Sequence, residues 1–297
     1  MGLWNTLRRL FGGGSPGHDL ASLAERLGLT VEQLRAVEPR YHSFERRKRS
    51  GGTRRIDAPD DRLMGLQRSI LRGVLGGLRS HRAAHGFEEG RSIVSNARPH
   101  VGKAVVITID LRDFFAATTD QRVRRYLRFV GWSRSAAAEL VRLTTWQGAL
   151  PQGAPTSPKL SNLVNYRMDA RLAGMARAFG GDYTRYADDI AISLVEDRHE
   201  QTFTVLRLAG RIVSDSGYEV NADKTQVRRR HQRQEVTGLV VNERIHLPRE
   251  TRRWLRAVEH RLRIGGECSL SDAELDGWLA LTSMVHTQGE GAGVPRA

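Results

Sequence analysis

Residues 184–195 read TRYADDIAISLV, two runs of strand-forming residues broken by the adjacent aspartates Asp188 and Asp189. Aspartate favours turns, so the pair reads in isolation as a plain acidic turn. The charge argues for more, because neighbouring carboxylates repel and folding gains nothing from placing them together. A second stretch sharpens the reading. Residues 103–110, KAVVITID, form an apolar run typical of a strand buried on both faces, and the run ends in Asp110. If the two segments pair as central strands, three carboxylates meet at their ends. Carboxylates without sulfur or histidine make a hard oxygen site, suited to Mg²⁺ with Mn²⁺ as a substitute. Two such ions, about 3.5 to 4 Å apart, activate an attacking hydroxyl and stabilise the leaving oxygen in phosphoryl transfer.

The composition bounds what such a site would act on. The chain has 297 residues, and about 100 to 200 residues per domain predicts two or three compact units. Its 47 Lys and Arg against 33 Asp and Glu give a net charge of +14, which implies a polyanionic partner, most often nucleic acid. A single cysteine, Cys268, excludes an intramolecular disulfide and a cysteine-rich zinc site, and it predicts a reducing, cytoplasmic setting. No apolar run approaches the roughly 20 residues of a membrane span. The N-terminal MGLWNTLRRLFGGG carries a short myristoylation-like pattern, but reads as a helix docking on the body or on a partner.

Several elements can be placed from periodicity and punctuation. Gly12 to Gly17 is a flexible linker by composition. Residues 19–37, DLASLAERLGLTVEQLRAV, predict a helical hairpin around Gly28, with a DNA-binding helix-turn-helix as the sharper alternative. FERRKRSGGTRRID, residues 44–57, predicts a basic β-hairpin that stops near Pro59, followed by the amphipathic helix LMGLQRSILRGVLGGL. After Ser157 and Pro158, which read as N-cap and first turn, Leu160, Leu163, Val164, Met168, Leu172, Met175 and Phe179 predict one long helix face closed by Gly180 and Gly181. A second helix is expected through Phe203, Leu206, Ile212 and Val213 to Gly217. Strand, helix, hairpin, helix and strand in this order make an α+β domain with an antiparallel or mixed sheet and helices on one face.

Tyr186-Ala187-Asp188-Asp189 resembles the YxDD box of reverse transcriptases, and further motifs of that family follow in order. Asp110 to Phe115 (DLRDFF) is similar to the first metal-binding motif. Leu150 to Gly153 (LPQG), with Ser157-Pro158, resembles the template- and nucleotide-positioning motif. Gly217 to Thr225 (GYEVNADKT) is similar to the motif that places a lysine near the triphosphate. The resemblance extends over roughly residues 40 to 250. Asn96-Ala97-Arg98-Pro99-His100 and Val236-Thr237-Gly238 match the NAxxH and VTG signatures of retron reverse transcriptases, and HGFEEGRSIVSNA resembles that group's local sequence.

The resemblance implies a right-hand polymerase. Its expected parts are a helical N-terminal extension (1–40), fingers (41–104), a palm with inserted fingers helices near 120–150 (105–235), and primer-grip strands with a helical thumb (236–297). It implies metal ligation by Asp110, Asp188 and Asp189, with Leu111 lending a backbone carbonyl, and Lys224 as general acid or point charge at the leaving pyrophosphate. Phe115 matches the ring that blocks a ribose 2′-hydroxyl, with a plain core phenylalanine as the alternative. Arg54 and Arg55 match the fingers hairpin that grips the triphosphate, where the fork of arginine suits phosphate. Gln152 and Gly153 would let backbone approach the incoming nucleotide. Asn96, His100, Val236, Thr237, Gly238, Arg252, Arg253 and Arg256 are the expected RNA-binding positions, His100 with a buried, satisfied histidine as the alternative.

The reading is thus a retron reverse transcriptase that uses two Mg²⁺ ions and dNTPs. Membership would imply copying of a cognate msr–msd-type noncoding RNA into cDNA, priming from a guanosine 2′-hydroxyl, and antiphage defence with a separately encoded effector. The rivals are a reverse transcriptase of group II intron or abortive-infection type, and a nonenzymatic nucleic-acid binder built on the N-terminal helices. The sequence leaves the oligomeric state and the identity of the RNA open.

Overall fold

Hydrophobic alternation and capping divide the chain into short elements, seen in a computed structural model that describes residues 18–47, 51–264 and 270–289. The expected N-terminal helix, the glycine linker and Cys268 lie outside the described residues. In chain order the elements are α1 (Leu20–Arg26), α2 (Val31–Arg35), β1 (Tyr41–Arg47), β2 (Thr53–Pro59), α3 (Asp61–Ile70), α4 (Ile93–Ala97), β3 (Val105–Leu111), α5 (Asp120–Phe129) and α6 (Arg134–Thr144). They continue as α7 (Ser157–Val164), α8 (Tyr166–Ala178), β4 (Gly181–Tyr186), β5 (Asp189–Leu194), α9 (His199–Asp215), β6 (Val220–Arg229), β7 (Glu235–Val236), β8 (Leu239–Val240), α10 (Arg249–Arg263) and α11 (Asp272–Gly289). Among these, no helix is long and apolar enough to cross a membrane.

The chain forms two compact units, each assembled from separate segments of the sequence. Of the described residues, one holds those up to Arg82, Arg112–Ala170 and Asp215–Tyr218; the other holds Ala83–Leu111, Arg171–Ser214 and those from Glu219 onward. Among its described residues the first unit has helices and the β1–β2 hairpin, which pairs Tyr41 with Pro59 through Arg47 with Thr53. Its core joins Leu23 and Leu34 of the α1–α2 pair to Leu63, Ile70, Val123, Leu127, Leu140 and Leu160. Asp19 caps α1 by accepting from Ser22 N–H, and Thr30 and Gln33 form a capping box on α2. The pair is therefore the expected helical hairpin, with its apolar side committed to this core.

The second unit is built on an antiparallel sheet of order β4-β5-β3-β6. Paired residues share a face, and one face carries Val106 and Ala191 into a core with Val94, Ala97, Leu239, Leu255 and Val285. On the other face Ile107, Ile109, Ile190 and Ile192 are buried too. Burial on both sides is why β3 reads as an unbroken apolar run.

Three details differ from the sequence expectation. The long helix after Pro158 is two helices, broken at Asn165, whose Nδ2 donates to Ser161 O and to the Tyr218 hydroxyl. That side chain competes with the helix for its own backbone, and its cap is Thr156 rather than Ser157. In α9 the buried stripe is Thr202, Val205, Ala209, Ile212 and Val213, so Phe203 faces solvent at 63% exposure. In α10 only Leu255 and Val258 turn inward, while Trp254 and Leu262 stay exposed and Trp254 meets Trp278 edge-on at 5.2 Å.

Candidate active site

The carboxylates come together because of sheet register. In the β3–β5 ladder Asp110 is the direct partner of Asp189, which places both side chains on one face at the same end of the sheet. Asp188 lies in the two-residue loop that joins β4 to β5, between the paired Tyr186 and Asp189. Asp189 is thus the first residue of a strand and Asp188 alone is a loop residue. Leu111 N–H donates to Asp188 O at 3.1 Å and ties the loop to the end of β3.

Lys224 reaches this cluster through an irregularity in β6. Thr108 pairs with Gln226 but Asp110 pairs with Asn221, so extra residues bulge from β6 between the two pairs. A bulge re-aims the side chains it carries. Here Lys224 Nζ donates to Asp110 Oδ1 at 2.8 Å, and Asn221 Nδ2 donates to Asp110 Oδ2 at 3.1 Å. The sequence carries no signal for this role of Asn221, because its pairing to Asp110 depends on a bulge that periodicity does not reveal.

The electrostatics show negative charge in excess. Crowding by protein atoms pushes the Asp189 carboxyl up to about 6, helped by the charges of Asp188 and Asp110 and opposed by Lys224. Asp189 still exposes surface, so the crowding is one-sided. The Lys224 ammonium is raised, first by its hydrogen bond to Asp110 and then by the three carboxylate charges, against some desolvation. Among the described residues no three His, Cys, Asp or Glu side chains already converge as a closed metal cage. The donor set is nonetheless all oxygen and under-neutralised, which fits a hard divalent cation in charge and chemistry.

The positions expected to meet the nucleotide lie in the other unit. Arg55 is engaged: its Nε donates to Asp57 Oδ1 at 2.9 Å and its guanidinium also donates to Ser43 Oγ at 3.1 Å. Arg54 faces Arg46 across the hairpin and, among the described residues, makes no ion pair. Asp57 N–H donates to Gln152 O at 2.8 Å, joining the hairpin to the LPQG segment. Gly153 sits at φ +129°, and a Cβ there would come within 2.9 Å of Ile56 Cγ2 and 3.0 Å of Asp57 O, so the approach requires glycine. Phe115 is half-buried and edge-on to Phe114 at 5.4 Å; Phe114 in turn stacks on Tyr218.

The two signature motifs form a clasp. Asn96 Nδ2 approaches Thr237 Oγ1 at 3.4 Å, and Thr237 Oγ1 donates to Ile93 O at 3.3 Å. The His100 ring bridges Ser193 of β5 at 2.7 Å and Thr184 of β4 at 2.8 Å. Asn96, His100 and Val236 are fully buried, so their side chains face the protein interior rather than an RNA surface. Thr237 and Gly238, both at positive φ, form the turn between β7 and β8. Arg252, Arg253 and Arg256 are exposed on α10.

Comparison with known proteins bears on this arrangement. The family described as reverse transcriptase (RNA-dependent DNA polymerase) matches residues 47–242. The chain is 41% identical to the retron Mx65 reverse transcriptase of Myxococcus xanthus, over 90% of this chain and 68% of the relative. It is 37% identical to the retron Mx162 reverse transcriptase of the same organism, over 89% and 63%, and 31% identical to the retron Ec86 reverse transcriptase of Escherichia coli, over 91% and 86%. In fold it is similar to telomerase from Candida albicans, solved with a fragment of telomeric RNA, at a TM-score of 0.53 and 14% identity, over 78% of this chain and 52% of that one.

Proposed function

We propose, for a chain that belongs to the reverse transcriptase family and within it to the retron reverse transcriptases, that Asp110, Asp188 and Asp189 are the metal ligands of its polymerase centre. As a member of that family it is an RNA-directed DNA polymerase. The observation that carries the site assignment is the Asp110–Asp189 register with Asp188 in the adjoining loop. Two divalent cations, Mg²⁺ or Mn²⁺, would there activate the primer hydroxyl and neutralise the leaving pyrophosphate. Leu111 adds its carbonyl to the same site. Lys224, held at Asp110, is placed to neutralise or protonate the pyrophosphate as it leaves.

The hairpin and the LPQG segment are read as the nucleotide-gripping part of the fingers, the four-stranded sheet as the palm, and α10 with α11 as the thumb. Phe115 excludes the ribose 2′-hydroxyl, so dNTPs are the substrates. The exposed arginines of α10 suit the phosphates of an A-form duplex, which is recognised by shape and backbone. The template is the cognate structured noncoding RNA, primed from a guanosine 2′-hydroxyl to give a branched RNA–DNA product, and the product serves antiphage defence with a separate effector. Asn96, His100 and Val236 hold the framework behind the site rather than the RNA.

The test replaces Asp188 and Asp189 together by asparagine. cDNA synthesis from the cognate RNA is expected to vanish while RNA binding persists; retained synthesis overturns the assignment.

A further inference from the structure

The left-handed turn that carries Asp188 is held from outside the sheet. Ala187 has φ +57°, at the loop position where a II′ hairpin turn normally uses glycine. A side chain in that region is strained and persists only where its surroundings impose it. Two contacts do so. Arg185, fully buried at 0% exposure, donates from its guanidinium to Ala187 O at 2.9 Å. On the other side, residues 83–85 run along β4: Arg185 N–H donates to Ala83 O and His85 N–H donates to Arg185 O, both at 2.8 Å.

That bridged segment delivers Gly86 directly onto the turn. A Cβ at Gly86 would lie 2.7 Å from Ala187 N, closer than Cβ atoms come to backbone, and 3.2 Å from Tyr186 C, a tight contact. Phe87 follows, itself at φ +63°, with its ring 6.5 Å from that of Tyr186. Gly86 therefore lets one backbone lie flush against another.

We infer that Gly86 and Arg185 are positioning residues that clamp the Tyr186–Asp189 turn, fixing where the Asp188 and Asp189 carboxylates stand relative to Asp110. The inference rests on the metal-ligand reading above. Both residues are buried, and both meet the turn at the backbone of Ala187. Shifting that backbone moves the two carboxylates while the register of β3 against β5 survives, so the loss falls on metal engagement and turnover rather than on RNA binding.

The experiment uses the full chain with its RNA and compares wild type, Gly86→Ala and Arg185→Lys. Turnover, the Mg²⁺ concentration at half-maximal rate, RNA affinity and the thermal midpoint are measured on each. For Gly86→Ala we expect turnover to fall at least tenfold and the Mg²⁺ requirement to rise severalfold, with RNA affinity within twofold of wild type. Arg185→Lys, which keeps one donor for Ala187 O, is expected to lie between the two in both turnover and Mg²⁺ requirement. Wild-type turnover and Mg²⁺ dependence in Gly86→Ala overturn the clamp. So does a loss in which RNA affinity and thermal midpoint fall in step with turnover, because that marks a general folding role. Should Gly86→Ala not fold, an unchanged Mg²⁺ requirement in Arg185→Lys overturns it instead. Failure of the underlying metal-ligand reading shows separately, as synthesis by the Asp188→Asn, Asp189→Asn variant.

Discussion

Lys224 Nζ lies 2.8 Å from Asp110 Oδ1, so one cation of the protein already answers one of the three clustered carboxylates. Asp110 is largely enclosed while the lysine amine stays open to solvent. The lysine can therefore swing toward a pyrophosphate without leaving a buried charge of its own. Replacing it by alanine leaves the carboxylates with less neutralisation. Lys224→Ala is expected to slow synthesis by about 10²-fold, within the range for loss of an acid catalyst. It should also enlarge the rise in thermal midpoint on adding Mg²⁺. A smaller Mg²⁺ response than wild type would contradict this account.

The hairpin separates two arginines that sequence alone treats alike. Arg55 is held by Asp57 and Ser43, whereas Arg54 opposes Arg46, a like-charge pair that an anion would relieve. Arg54→Ala is expected to raise the KM for dNTPs about tenfold or more, the scale of one charged hydrogen bond. Arg55→Ala should act chiefly on the thermal midpoint. Steady-state kinetics of both variants decide it, and the reverse order would assign the triphosphate to Arg55.

Phe115 rests on Phe114, which is stacked on Tyr218, so its ring is braced from behind. Phe115→Val is expected to raise ribonucleotide incorporation relative to deoxynucleotide by roughly ten- to 200-fold, the scale for relieving one steric exclusion. Competition between dNTP and rNTP on one template measures the ratio. An unchanged ratio would leave Phe115 as a core residue only.

Burial lowers the His100 imidazole to about 3 and that of His85 to about 4. Both folded values are depressed, so the stability each contributes is present above pH 6.5 and is lost as pH falls from there toward the folded values. Denaturant titrations between pH 7.5 and about 5 should show stability falling with acidity. His100→Gln should remove about 1.4 kcal/mol per pH unit from that slope below pH 6. It also disturbs the bonds to Ser193 and Thr184, so lower stability at neutral pH is expected as well. A slope identical to wild type would show that His100 takes up a proton in the fold.

Much of the site was legible because its chemistry is written in contiguous words. Asp110 at the end of an apolar run and Asp188-Asp189 between strand-forming runs state their own secondary structure, since period and punctuation act locally. Membership of the reverse transcriptases followed from the order of such words. Helix phase was less legible: Phe203 and Trp254 look like core residues by type, yet turn outward because which side of a helix is covered depends on what lies beside it. The break at Asn165 was hidden for a similar reason, as its partner Tyr218 lies far along the chain.

What the sequence by itself determined is the set of strands, the charged composition and the carboxylates available to one site. What only the tertiary structure decided is how these are held. It settled the pairing of Asp110 with Asp189, the β6 bulge that returns Lys224 and Asn221 to Asp110, and the burial that turns Asn96 and His100 into a clasp. It also brought Gly86 against Ala187. Each of these is a contact between residues distant in the chain, specified by backbone register and close packing, and no local pattern of hydrophobicity or charge encodes either one.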